Sequence, residues 1–349
     1  MTKPKAILAT DLHLDKETIE EVDKVLDQLI SKTLELGLDT IYILGDIFTE
    51  RVGQGLSVLL AWKKFLGKCK KKGLIVIKIA GNHDKTFLDS QESYLDVFNE
   101  DNVHIVTDYQ CIVDGNMSFS LLPYFKEGKA YDKMLASLLE ESRKSMSDCK
   151  FNYLFTHIAI NGVRNNDGSV VEEGVKIGKF SLYDKVFVGH YHNKSKVGDN
   201  IYYIGSIMPR NYGEDNEKGF TIIYADGTHE LFVPKFRKYK KFVFDLDKVK
   251  KVAIVKLRNK YRNSSDHIRF VFKGTEEQLL SLDKKFFTDV GIDVKKESKQ
   301  ILKSVEAAES GEFVSFDKSN ILKCFKDYCS VNQFSGREKA VGLKYLARI

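Results

Sequence analysis

Apolar positions along this chain follow two rhythms. Short unbroken runs at residues 6–9, 40–44, 74–80, 153–155 and 186–188 read as strands buried on both faces. Between them the spacing changes to three and four. Ile19, Val22, Leu26, Leu29, Ile30 and Thr33 predict a helix over about 16–36, with Asp15 to cap its start and Gly37 to end it. Leu59, Leu60, Phe65, Leu66 and Cys69 predict a second over 56–72, stopped by Gly73. A third helix is predicted over 89–99, where Tyr94, Leu95 and Phe98 form either a core face or a self-association surface. Residues 103–122 read as β-rich, 129–144 as a helix, and 201–204, 220–224 and 230–233 as closing strands. Buried strands alternating with amphipathic helices define an α/β protein.

Past residue 234 the pattern shifts. Lys235, Arg237, Lys238, Lys240 and Lys241 open a basic stretch interleaved with Phe236, Tyr239 and Phe242, which reads equally as a solvated face or as a phosphate contact. A small α/β module follows, with a strand at 267–272, a helix over 275–290 whose inner face is Leu279, Leu282, Phe286 and Val290, and a strand at 292–295. The tail, 301–349, carries a helical pattern at Ile321, Leu322, Phe325 and Tyr328 and ends on an apolar hexapeptide that needs a partner surface. Three segments result: 1–234, 235–300 and 301–349.

Composition narrows the field little. The 349 residues carry 55 lysines and arginines against 49 acids, a formal charge of +6 that permits a polyanionic partner without requiring one. Five cysteines with no C-x-x-C pair give neither a disulfide framework nor a thiolate zinc site. No run of eighteen uncharged apolar residues occurs, and the amino terminus passes directly into a strand, so the expectation is a cytoplasmic protein without a membrane span.

The chemistry sits where the apolar runs stop. They end in Asp11 and His13, in Gly45-Asp46, in Gly81-Asn82-His83-Asp84, in His157, and in Gly189-His190-Tyr191-His192. A single histidine or aspartate after a strand is commonly a cap. Five strand ends of this kind are not, because ligands collect at the C-terminal edge of parallel sheets. Oxygen and imidazole donors without thiolate suit manganese, iron or zinc better than calcium, and suit two ions sharing a carboxylate about 3.5–4 Å apart. Asp11, His13, Asp46 and His192 are assigned to one ion, and Asp46, Asn82, His157 and His190 to the other. His83 is left off the metals, free to stabilise a phosphate and protonate a leaving oxygen. His104, His229 and His267 fall outside the pattern and read as structural or surface residues.

These motifs resemble the signature of the calcineurin-like metallophosphoesterases, over roughly the first two thirds of the chain. Within that superfamily, Gly45-Asp46-Ile47-Phe48, the His157 loop and the basic α/β extension look most like the SbcD-type DNA-repair nuclease subunit, including its shorter phage versions. The resemblance implies an αββα-sandwich core, a small α/β capping domain that helps select DNA, and a C-terminal helical segment docked on an SbcC-like ATPase of the SMC family. It also implies two manganese ions, with magnesium as the other candidate, and exonuclease action on duplex ends with endonuclease action on single strands. A homodimer in the cytoplasm of a bacterial cell or phage-infected host is the expected setting, with roles in DNA recombination, repair and replication. Thr49 departs from the pattern: some family members carry a histidine there, and phosphatase relatives place an aspartate there to orient the catalytic imidazole. Two other readings compete: a phosphatase or phosphodiesterase acting on a protein or small nucleotide, and a DNA-end clamp that regulates an ATPase.

Overall fold

The computed structural model describes residues 2–165 and 168–299, so the expected docking segment at 301–349 lies outside the described residues. The chain divides into two compact units. Among the described residues, the first comprises 2–240 with 265–267, the second 241–264 with 268–299.

In the first unit the elements run β1 (Pro4–Ala9), α1 (Ile19–Glu35), β2 (Thr40–Leu44), α2 (Leu56–Lys71), β3 (Ile75–Ile79), β4 (Val103–Val106), β5 (Gln110–Asp114), β6 (Met117–Leu122), α3 (Lys129–Ser147), β7 (Phe151–His157), β8 (Lys185–Gly189), β9 (Ser195–Val197), β10 (Ile201–Tyr203), β11 (Phe220–Tyr224) and β12 (His229–Phe232). They build two six-stranded sheets, ordered β12-β11-β1-β2-β3-β4 and β5-β6-β7-β8-β10-β9. Each holds four parallel strands, β1 to β4 in one and β6, β7, β8 and β10 in the other, with antiparallel strands only outside them.

Three apolar layers hold these sheets. Leu8, Tyr42, Leu44 and Ile79 of the first sheet meet Phe119, Leu121, Phe155 and Phe187 of the second, with Phe119 stacked on Phe155 at 5.2 Å. On the outer face of the first sheet α1 buries Val22, Val25, Leu26, Leu29 and Ile30, and α2 buries Val58, Trp62, Phe65, Leu66 and Cys69. Each such side chain is worth roughly 1.5–3 kcal/mol on burial, so these faces, more than helix propensity, hold the helices in place. Tyr131, Leu135 and Leu138 of α3 cover the second sheet. Helices outside and two sheets inside make an αββα sandwich.

The second unit is built on a three-stranded sheet, β13 (Tyr239–Asp245), β14 (His267–Gly274) and β15 (Ile292–Ser298), in the order β13-β14-β15, in which the first residues of β13 and β14 belong to the first unit, with α4 (Lys251–Tyr261), α5 (Glu276–Leu280) and α6 (Lys285–Thr288). Its core gathers Phe244, Ile254, Phe270, Phe272, Phe287 and Val294.

Several local expectations change. The helix predicted over 89–99 is only a 3-10 turn at Tyr94–Val97, held by a reciprocal pair of bonds between Ser93 and Asp96. The helix predicted over 275–290 is broken into α5 and α6, because Asp283 accepts from the Lys285 amide and starts a new helix there. The break turns Phe287 inward and leaves Phe286 40% exposed. In α2 the inward residue is Trp62, while Leu60 faces solvent. Among the described residues no helix is long and apolar enough to cross a membrane.

Candidate metal centre

The parallel strands of both sheets release their chains at one edge, and the polar residues begin within three positions of each end. Asp11 and His13 follow β1, Asp46 follows β2, Asn82 and His83 follow β3, His157 closes β7, and His190 and His192 follow β8. The backbone turns sharply there. Asp11, His13, Asp46 and His190 have φ of 51°, 45°, 50° and 98°, a left-handed conformation that among the other described non-glycine residues only Asn263 adopts. Such residues store strain of order 1–3 kcal/mol each, which surrounding bonds must hold. Here the Asp11 amide donates to the Gly45 carbonyl at 3.1 Å and the His13 amide to that of Asp46 at 3.0 Å.

The motif glycines are steric requirements of this packing. A Cβ on Gly81 would lie 2.2 Å from Asp46 Oδ1, and one on Gly189 would lie 2.2 Å from Thr10 Oγ1 and 2.6 Å from His157 Nδ1. Only hydrogen fits where the strand ends close on the ligands.

All seven residues singled out as metal ligands come together, in two buried groups. Asp11, His13 and His192 present donor atoms within 4.8 Å of one another, and so do Asp46, His157 and His190. Asp46 lies between them, with Oδ2 3.7 Å from His13 Nε2 and 3.3 Å from His157 Nε2. Asn82 joins the second group, its Oδ1 3.2 Å from His157 Nε2 and 2.8 Å from His190 Nδ1.

The donor chemistry fits cations. A carbonyl oxygen only accepts, so the 2.8 Å contact of His157 Nδ1 with the Leu44 carbonyl puts the ring proton on Nδ1 and bares Nε2. That lone pair faces the lone pairs of Asp46 and Asn82. In the other group the carboxylate of Glu214 takes the Nδ1 hydrogen of His192 at 2.9 Å, which turns the bare Nε2 of His192 toward His13 Nε2 at 3.0 Å. Donor atoms gathered this closely can share protons in ordinary hydrogen bonds, and the same lone pairs suit a metal ion. The electrostatics agree. Burial pushes the His157 imidazolium down, but the Asp46 carboxylate overrides it and pulls the group up to about 9. Asp46 is held well below the usual carboxylate range: burial opposes its charge, and His157 and His13 outweigh burial. His190 is pushed down to about 4 by burial and then by His157, so its ring is neutral, the form in which an imidazole can hold a metal.

His83 stands apart from both groups. Its amide donates to Asp46 Oδ1 at 2.9 Å, and its Nδ1 donates to the Thr49 carbonyl at 2.6 Å. The orienting group is therefore main chain, and the side chain at position 49 is not needed for that bond. The Thr49 hydroxyl instead donates to the His13 carbonyl at 2.8 Å. Asp84 lies beneath and accepts from the amides of Ile47, Phe48 and Gly81, which ties the loop after β3 to the one after β2. His83, His13, Asp46, Thr49, His190, His192 and Arg210 line one cavity of about 450 Å³.

Glu214, Leu44 and Arg210 were not legible as functional residues. A carbonyl belongs to every residue, so Leu44 carries no signal. Glu214 lies 22 positions after His192 in a segment without regular pattern.

The basic stretch divides. Arg237 pairs with Glu21, and Lys240 with Asp266 at 2.6 Å, so two of its five cations are spent within the first unit. Lys235, Lys238 and Lys241 are exposed. The unit boundary follows Lys240, past the composition shift at residue 234, because the Arg237–Glu21 pair and the bond from the Lys235 amide to Gln28 fasten the stretch to α1.

Fold and site together define an αββα sandwich with a paired ligand cluster at its strand ends. No family model matches the chain. Among solved structures it is similar to a dimetal phosphatase from Danio rerio, at 12% identity and a TM-score of 0.43, over 63% of this chain and 93% of that one. It is also similar to the nuclease MPE of Pseudomonas putida, at 15% identity and a TM-score of 0.26, over 56% of this chain and 66% of that one.

Proposed function

We propose that this protein is a two-metal phosphodiesterase that cleaves DNA. The observation that carries the reading is the pair of buried acceptor clusters meeting at Asp46, with one further imidazole, His83, held beside them and outside them. Two divalent cations bound there, manganese or else magnesium, would supply Lewis acidity at the phosphoryl oxygens and an activated water. The chain does the rest. Leu44 and Glu214 fix the ring orientation of His157 and His192, and Asp46 serves both groups. Thr49 holds His83 by Nδ1, which leaves Nε2 to exchange a proton with the leaving oxygen.

DNA is the proposed substrate, on two grounds: the motif resemblance to SbcD-type nucleases, and the exposed Lys235, Lys238 and Lys241 as backbone contacts. Docking of residues 301–349 on an SbcC-like ATPase, and action in recombination and repair, belong to the same reading. Purified protein with manganese should shorten linear duplex DNA. Hydrolysis of a nucleotide or phosphoprotein with DNA untouched would favour the phosphatase instead, and DNA binding without cleavage would favour the clamp. Deletion of 301–349 should abolish ATPase binding and spare cleavage of a simple diester.

A further inference from the structure

We infer that Arg210 is a phosphate-binding side chain of this cavity, a guanidinium fixed in its wall to grip non-bridging oxygens of the same phosphate group that the metal centre engages. The inference rests on the phosphoesterase reading above and adds to it a residue outside every motif in the sequence.

Arg210 is built into the site from both ends. Its amide donates to Glu214 Oε2 at 3.2 Å, while Oε1 of that carboxylate orients the ligand His192. At the other end Nη1 donates to Thr18 Oγ1 at 3.1 Å, and Nη2 donates to Asp15 and, at 3.4 Å, to Thr49 Oγ1. Thr49 is the residue whose carbonyl holds His83. One short path of hydrogen bonds therefore runs from a metal ligand through Arg210 to the proton carrier.

A structural ion pair is the plainer explanation, and the geometry goes beyond it. Asp15 Oδ1 is already taken by the amides of Glu17 and Thr18 at 2.8 and 2.9 Å, and only Oδ2 meets the guanidinium. The carboxylate buttresses one side of the fork. A guanidinium has five N–H groups, and Thr18, Asp15 and Thr49 engage three of them. Two remain for a ligand. The side chain is 13% exposed, and Arg210 is the one arginine or lysine among the described residues lining the cavity. A planar cation with open donors, already ordered, in the wall of the cavity that Asp46 also lines, matches a tetrahedral oxyanion better than any neutral ligand.

The test is calorimetric titration of the full-length, metal-loaded protein with inorganic phosphate, with metal content and melting temperature measured in parallel. Arg210→Ala should keep two metal ions and bind phosphate roughly tenfold to hundredfold more weakly, with Arg210→Lys recovering part of the loss. In steady state with a chromogenic diester, KM should rise and product inhibition by phosphate should weaken by a similar factor. Unchanged phosphate affinity in Arg210→Ala with both metals bound overturns the proposal, as does a wild-type protein that binds no phosphate. Should Arg210→Ala lose its metals, Arg210→Gln is read in its place, since its amide can still donate to Asp15; wild-type affinity there overturns the proposal equally. The two readings fail differently. A protein that cleaves no diester yet binds phosphate through Arg210 loses the phosphodiesterase and keeps this subsite. One that cleaves diesters with phosphate affinity indifferent to Arg210 does the reverse.

Discussion

His157 gives its Nδ1 hydrogen to the main-chain carbonyl of Leu44 at 2.8 Å, a bond that crosses from one sheet of the sandwich to the other. It makes the metal centre a property of how the sheets pack. The ring's other nitrogen is bared toward Asp46 only while β7 and β2 keep this separation.

Asp46 should hold the two groups together. Its Oδ2 lies 3.3 Å from His157 and 3.7 Å from His13, so Asp46→Ala should reduce bound metal from two ions to none. Elemental analysis of the purified variant decides it, and two retained ions would end the shared role. Glu214→Ala should act on one group alone, weakening metal affinity there by roughly tenfold to hundredfold through loss of His192 orientation. A metal titration showing both sites weakened equally would contradict that.

Removing the imidazole of His83 should separate chemistry from binding. His83→Ala is expected to lose roughly 10²–10⁴-fold in kcat with metal content intact. Thr49→Ala should differ by only a few-fold, because the bond to His83 comes from the backbone. If Thr49→Ala matched His83→Ala, the orienting role would lie with the hydroxyl and its neighbours.

Gly81 is expected to tolerate no side chain. A methyl group there would sit 2.2 Å from Asp46 Oδ1 and 2.4 Å from the Asp46 amide, atoms anchored by His83 and the strand ends. Gly81→Ala should cost roughly 1–3 kcal/mol in urea denaturation and weaken metal binding. Gly53→Ala, with nothing within 4 Å of the added atom, is the control and should be near neutral.

Lys78 should make stability depend on pH. It is fully buried in β3, between the rings of Trp62 and Phe98 at 5.5 and 5.2 Å, with its Nζ 3.3 Å from the Leu95 carbonyl. Burial pushes its ammonium down to about 7, whereas an unfolded lysine titrates near 10.4. Between those values the unfolded chain binds more protons, so stability rises with pH across that window. Lys78→Met should flatten the rise and stabilise the protein at pH 7 by on the order of a few kcal/mol. Denaturation curves at pH 7 and pH 9.5 measure this, and an unchanged slope would remove Lys78 as its source.

Much of the site was legible because strand ends are marked in the chain itself. An apolar run that stops at glycine and a charged residue announces both the strand and the edge at which it ends, which is how Asp46, Asn82 and His190 could be found. Pairing partners were less legible. Arg237 and Lys240 looked free to meet phosphate, yet Glu21 and Asp266 lie beside them, and nothing nearby in sequence says so. The helix expected over 89–99 is a single 3-10 turn at Tyr94–Val97, begun at Ser93 by a capping box, and the spacing of Tyr94, Leu95 and Phe98 carried no signal for where it starts or how soon it stops.

The sequence by itself determined the α/β alternation and the residue types that reach the strand ends, since hydrophobic period and glycine placement act locally, whereas the sorting of the strands into two sheets came only with the tertiary structure. Tertiary structure alone decided which atom of each ligand is free, that a threonine carbonyl orients His83, and that Glu214 and Arg210 belong to the site. Those roles depend on lone-pair directions and separations of a few ångströms between residues far apart in the chain, which one-dimensional order does not carry.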